Sequence, residues 1–403
     1  RFQSKGLRIA SAAIIFVFLI PYTASVYNGL SRLFGMAFGL PYEVCVIGMA
    51  VITCLYVVLG GYMATVMNDF LQGIVMLFGI VAVIAAVILN NGGFSEAITT
   101  LSQIPAEGSQ MAGPFVSMFG PDLFNLLGVV VLTSLGTWGL PQMVQKFYAI
   151  KSGPAVKQGA IISTLFAFVV ACGSYFLGGF GRLYADKIEI GPTGIPVYDS
   201  IIPTMLSTLP DILIGIVIVL VLSASMSTLS SLVLTSSSTL TLDLLQGNVV
   251  KKMSEQSKLG WMRVLIVVFI IVSAALALVQ YNSSITFIAQ LMGISWGALA
   301  GAFLGPFLWG LYSGRISKAA VWCSFIVGVC LTSGNMVLTL MGTPLIASPI
   351  NCGALAMLLS LIIVPMVSLF TKSVPFEVNL PSPEGAIDRE FKHELAEERK
   401  GAE

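Results

Sequence analysis

The chain has 403 residues, 56% hydrophobic and only 10% charged, with a formal net charge of +1. Soluble domains carry ~25% charged residues, so this composition excludes a soluble globular enzyme and points to a polytopic membrane protein. The single histidine, His393, lies in the charged C-terminal stretch, which excludes a histidine-based catalytic or zinc centre inside the membrane.

A spanning helix needs ~20 apolar residues, and ten such runs occur in order: Leu7–Phe34, Tyr42–Leu59, Asp69–Leu89, Leu123–Val144, Ala160–Phe180, Ile212–Leu242, Met262–Gln280, Ile285–Leu311, Ala319–Leu340 and Cys352–Phe370. With ten alternating spans, 17 of the 20 basic residues fall on one side; Arg32, Arg182 and Lys187 alone fall on the other. By the positive-inside rule the present N-terminus and the C-terminal tail are cytoplasmic. The chain therefore divides into a transmembrane region, residues 1–370, and a polar cytoplasmic tail, 371–403, and a cell-membrane location is expected. Two long outer loops, Asn90–Asp122 and Gly181–Asp211, connect the spans. The second contains VYDSIIPTMLSTLP, which reads as a short helix over the outer mouth, either a lid or an ordinary amphipathic cover.

Cys45, Cys54, Cys172, Cys323, Cys330 and Cys352 are scattered through apolar segments without metal-ligand spacing. They read as small buried hydrophobes rather than a disulfide framework. There is no P-loop, and basic residues do not interleave with aromatics as on a nucleic-acid surface, so no nucleic-acid partner is expected.

Polar residues inside apolar spans carry the functional signal, because each must find a partner in hydrocarbon. Asp69 opens the third span: it either caps that helix or, if deeper, pairs with a cation or hydroxyl. Asp243 closes the sixth span and reads as interfacial, with Lys251 and Lys252 following. The fourth span ends in LTSLGTWGLPQMVQKFYAIKS, where Gly136, Gly139 and Pro141 interrupt the helix. Such a break either is a simple kink or frees backbone groups to coordinate ions and substrates; Lys146, just beyond, is expected to snorkel to the interface.

The sixth span holds the strongest feature: 12 of the 19 residues from Ser223 to Thr241 are Ser or Thr. At helical spacing Ser223, Ser227, Ser230, Ser231, Thr235 and Ser238 form one stripe with Thr228 beside it. The stripe either lines a cation site or packs against a neighbouring helix. In the eighth span Gly297, Gly301 and Gly305 recur every four residues, a groove for close helix approach.

Taken together, GGYMATVMNDFLQG, GTWGLPQMVQKFYAIKS, SASMSTLSSLVLTSSSTLTLDLL and WGALAGAFLGPFLWGLYSGR resemble the sodium:solute symporter family, in order and at matching spacing from Arg1 to about Phe370. The resemblance implies an all-α LeuT-type inverted-repeat transporter core. The first eight spans correspond to core helices three to ten, with two further helices after them, so about three N-terminal spans are expected to be absent. It also implies one sodium site whose eighth-core-helix half falls on Ala224, Ser227 and Thr228. A second site, found in some members, falls on Asp69, Ser230 and Ser231 and shares Ser227. Met67-Asn68 stands where the family has Trp-Thr, and Tyr62 replaces a bulky aliphatic.

By the same resemblance Thr133, Thr137, Trp138 and Pro141 face the substrate cavity. Gly139-Leu140-Pro141-Gln142 is more similar to the Gly-x-Pro of the sodium/proline and sodium/pantothenate carriers than to the motif of the sugar carriers. The expectation is a transporter rather than an enzyme: Na⁺-driven symport of a small organic solute across the bilayer by alternating access. An amino acid or other small carboxylate is favoured over a sugar. A membrane sensor module and a transport-inactive fragment are the alternatives.

Overall fold

The computed structural model describes residues 2–106, 113–150, 152–190, 196–246, 250, 253–283 and 288–373; the expected tail lies outside them beyond residue 373. Twelve α-helices occur among these residues: α1 (Lys5–Phe38), α2 (Tyr42–Asn90), α3 (Phe94–Gln103), α4 (Leu123–Gly139), α5 (Pro141–Gln145), α6 (Gly153–Gly179), α7 (Ile201–Ser207), α8 (Asp211–Thr239), α9 (Glu255–Ser283), α10 (Ile288–Tyr312), α11 (Lys318–Leu340) and α12 (Pro349–Phe370). A single π-helical turn, Leu240–Leu245, extends α8. The architecture is an all-α bundle of membrane-spanning helices.

Caps written into the sequence set the helix ends. The side chains of Ser4, Asp122, Ser152, Ser317 and Ser348 each accept from an amide three residues on, satisfying a backbone donor that the first turn cannot pair. Gly39, with φ +63°, closes α1 in a left-handed conformation that a side chain would strain.

Nine segments among the described residues are long and apolar enough to cross a membrane; Leu123–Gly139 is a shorter apolar helix of 17 residues. The second and third expected spans are Tyr42–Gly60 and Val66–Asn90, and they lie in one unbroken helical run of 49 residues. At 1.5 Å per residue a straight run of that length would extend ~74 Å, more than twice a hydrocarbon core. Its two ends nevertheless share a face. Tyr42 stacks on Tyr281 beneath Arg32, and Arg32 reaches Glu189, while Asn90 and Asn91 bond Thr208 and Tyr184 in that same connecting loop. Both ends of the run thus lie beside the segment that carries Tyr184, Glu189 and Thr208.

At the centre stands α10, with 78% of its span buried, against 6% for α6 at the periphery. The glycines of α10 make this possible. A methyl on Gly297 would sit 2.5 Å from the Gly353 Cα of α12, one on Gly301 2.9 Å from the Ala356 Cβ, and one on Gly305 2.2 Å from the Ser360 carbonyl oxygen. The stripe is a packing groove. Around it, Tyr27, Leu229, Phe269 and Leu299 from α1, α8, α9 and α10 fill one core. Large apolar side chains such as Phe78, Ile161, Phe168 and Val279 stay exposed on the outer surface, as lipid contact requires.

None of the six cysteines is paired. Cys45 and Cys352 are buried as expected, but Cys172 and Cys330 are exposed, because α6 and α11 turn those faces outward rather than into the bundle.

Candidate functional site

The α8 hydroxyls are satisfied in large part by their own helix. Thr228 Oγ1 donates to the Ala224 carbonyl at 3.0 Å, and Ser230 Oγ to the Ser227 carbonyl at 3.0 Å. Ser237, Ser238 and Thr241 make the same backward bonds lower down. A hydroxyl that spends its hydrogen on a carbonyl one turn back keeps its lone pairs, so it remains an acceptor and a possible cation ligand. Thr235 instead donates to Gln145 Oε1 at 2.7 Å, which ties α8 to the short helix α5.

That short helix exists because the fourth span breaks. Helix α4 stops at Gly139, Leu140 is extended (φ −86°, ψ 120°), and Pro141 starts α5. Proline lacks an amide and disfavours helix in the residue before it, so Leu140-Pro141 interrupts the ladder locally. Gly139 also packs where a methyl would meet the Cα of Ala300 at 2.8 Å. The break is a discontinuity, not a simple kink.

Three spaces surround this region. One of ≈ 560 Å³ lies toward the Arg32 face and is bordered by Tyr22, Ser25, Asp199, Ala224, Ser225 and Thr228. A second of ≈ 970 Å³ lies toward the opposite face, between Arg8, Ser11, Trp138, Pro141, Phe303 and Phe307. A pocket of ≈ 90 Å³ sits between α1, α5 and α8, lined by Tyr22, Gln142, Met143, Lys146, Ser227, Thr228, Ser231 and Leu232. Tyr22 and Thr228 border both this pocket and the first cavity.

The expected sodium ligands are thus partly gathered. Ser227, Thr228 and Ser231 share the small pocket, while Ala224 faces the larger space above it. Ser230 is fully buried and turned to its own helix. Asp69 is not a helix cap, because the helical run passes through it; its carboxylate lies 3.6 Å from the Lys146 ammonium and beside the Ser227 hydroxyl. Its other oxygen, Oδ1, is buried with no hydrogen-bond partner among the described residues. Lys146 therefore does more than snorkel: it crosses from the broken helix to a carboxylate 77 positions away. Among the described residues no three His, Cys, Asp or Glu side chains gather as a metal site, so the oxygens on offer are hydroxyls, carbonyls and Asp69.

Of the expected substrate residues, Trp138 and Pro141 border the ≈ 970 Å³ cavity. Thr133 and Thr137 do not; each donates back into α4, to Val129 and Ser134. Two residues escaped the sequence reading. Gln142 is 3% exposed with neither amide atom bonded, and its neighbour Pro141 was the only local signal. Asp199, in the VYDS turn before α7, accepts from the Ile288 amide with both oxygens, at 3.1 and 3.2 Å. It pins the connecting segment to the start of α10. Burial pushes the Asp199 carboxyl above the ordinary range, and the Ile288 amide and Arg32 pull it partly back.

Known proteins share this fold. A solved Na⁺-coupled sialic acid symporter, in a substrate-bound outward-open state, superposes with a TM-score of 0.67 over 93% of this chain and 77% of its own, at 19% identity. The likeness establishes the LeuT-type fold. The sodium/pantothenate symporter of Escherichia coli is 30% identical over 335 residues, 81% of this chain. The sodium/proline symporter of the same organism is 28% identical over 341 residues. The chain spans 65% and 64% of these relatives' lengths. These relatives are transporters and not enzymes. The model of the sodium:solute symporter family matches residues 1–328, from the start of α1 into α11, and takes in the Ser/Thr stripe, the helix break and the Asp69–Lys146 pair. The chain belongs to the sodium:solute symporter family.

Proposed function

We propose that this chain carries the greater part of a Na⁺-coupled symporter, which moves a small organic solute across the cell membrane by alternating access. One observation carries the reading: Tyr22 and Thr228 border both the ≈ 560 Å³ cavity on the Arg32 face and the small pocket reaching Lys146. The α8 oxygens therefore stand between spaces that approach from opposite faces. Sodium binds at the Ala224 carbonyl and the Ser227 and Thr228 hydroxyls. Neutral oxygens suit a monovalent cation that must also leave, and discontinuous helices supply such ligands in transporters. A second sodium binds at Asp69 with Ser227, Ser230 and Ser231.

Each charge moved down 100 mV releases ~2.3 kcal/mol, so one or two ions drive substantial accumulation. Binding of both ion and solute biases the equilibrium between outward-open and inward-open states through their different affinities for each. The greater share of basic residues on the Lys146 side supports a cytoplasmic placement of that face and of the terminal segments.

The solute is a small carboxylate, an amino acid or similar acid rather than a neutral sugar. In support, pantothenate, proline and sialic acid, the solutes named for the similar proteins, all bear a carboxylate. Trp138 and Pro141 border the cavity in which it would be released. The test is uptake of labelled proline, pantothenate and sialic acid into proteoliposomes of the full-length protein, with and without a sodium gradient. Sodium-independent uptake of every solute, or flux without counterflow, would refute the reading.

A further inference from the structure

We infer that the Gln142 carboxamide is a sodium ligand, in a pocket that receives the ion between the Ala224, Ser227 and Thr228 oxygens and the Lys146 face. This rests on the sodium-symport reading and extends it by a residue outside the two sites proposed above.

The carboxamide is 97% withdrawn from the surface, since Gln142 retains 3% exposure. Neither its oxygen nor its nitrogen has a hydrogen-bond partner among the described residues. A buried amide left unpaired is costly, so such a group calls for a guest. The guest must fit ≈ 90 Å³. Organic ligands occupy pockets of ~300–1,000 Å³, whereas ~30 Å³ is one water's share of the liquid. The space therefore admits an ion with one or two waters and no organic solute.

The lining selects the sign of the charge. Ser227, Thr228 and Ser231, each with a hydroxyl, line the pocket with Gln142, and the Thr228 hydrogen is already engaged by the Ala224 carbonyl. The one cation in the lining, Lys146, is half exposed and held by Asp69, whose Oδ1 is buried and whose carboxylate stands beside the Ser227 hydroxyl. Oxygen acceptors thus converge without an unopposed positive charge. Because the break at Leu140 places Gln142 on α5 rather than on α4, its reach to the ion changes when α5 moves against α8. The residue is positioned to hand the ion on as the site opens.

The experiment is equilibrium binding of radioactive sodium to the purified full-length protein. Gln142→Met keeps the length of the side chain and removes both amide atoms; Gln142→Glu supplies a charged oxygen. The expected results are sodium affinity about tenfold weaker for the first, tighter than wild type for the second, and unchanged solute affinity at saturating sodium for both. Unchanged sodium affinity in both variants means that the pocket holds water only and overturns the inference. So does a loss of solute affinity with sodium binding intact. If Gln142→Met fails to fold, Gln142→Glu decides alone, and sodium affinity no tighter than wild type is the refuting result. Ser227→Ala and Thr228→Ala, run beside them, separate the two levels: sodium binding untouched by all four changes refutes the symport reading, whereas loss confined to Ser227 and Thr228 refutes the role of Gln142 alone.

Discussion

Lys146 and a sodium ion compete for one carboxylate, and removing the lysine measures that competition. At the observed 3.6 Å, a pair of unit charges interacts by ~1.2 kcal/mol in bulk water and ~4.6 kcal/mol at an effective dielectric constant of 20. The Lys146 side chain is 50% exposed, so solvent screening holds the interaction near the lower figure, ~1 kcal/mol. Lys146→Met frees Asp69 of that competitor, so sodium should bind about fivefold more tightly. Without sodium the variant should be slightly less stable than wild type, because Asp69 then keeps a buried charge with no counter-ion. Sodium-dependent thermal stabilisation should grow accordingly. The assay is sodium titration of uptake and of melting temperature for Lys146→Met and wild type. High choline chloride should narrow the gap by screening the pair. Weaker or unchanged sodium affinity would refute Asp69 as an ion ligand held in check by Lys146.

Asp69→Asn should lower sodium affinity or the Hill coefficient of uptake; if neither moves, one ion bound elsewhere drives transport. Ser227→Ala and Thr228→Ala should each raise the sodium concentration for half-maximal uptake about tenfold or more, and an unchanged sodium dependence in both would sink the α8 site. Gly305→Ala pushes a methyl to within 2.2 Å of the Ser360 carbonyl and should destabilise the bundle by ~1–3 kcal/mol. Gly314, with open space around it, is the control: Gly314→Ala should leave the melting temperature within error, and equal effects at the two sites would refute the packing groove. Asp199→Ala strips the Ile288 amide of its acceptor and should speed hydrogen exchange at the start of α10, a region that mass spectrometry resolves.

Spans, the interruption of the fourth span and the glycine groove were legible because their causes are local. Bilayer thickness fixes the length of an apolar run, and Pro141 disturbs the ladder wherever it sits. The four-residue glycine spacing likewise implied close approach, although not that Gly353, Ala356 and Ser360 of α12 are what approaches.

Side-chain partnerships were not legible, since they join segments far apart in sequence. Twelve hydroxyls on one span are chemically alike on paper; only the placement of α5 against α8 puts Ser227, Thr228 and Ser231 on a pocket, gives Thr235 to Gln145 and turns Ser230 inward. Asp69 read first as a cap, and as a paired carboxylate only if it lay deeper, until the helical run through it and the approach of Lys146 decided otherwise. Thr133 and Thr137 were expected beside Trp138 and Pro141 on the cavity, yet they are not among the residues that border it, and their hydroxyls donate to carbonyls of α4. The sequence alone determined a membrane bundle with a polar helix and a broken one, because hydropathy and backbone chemistry act residue by residue. Which oxygens meet, and around what, was decided by the tertiary packing, because coordination depends on positions that no single helix controls.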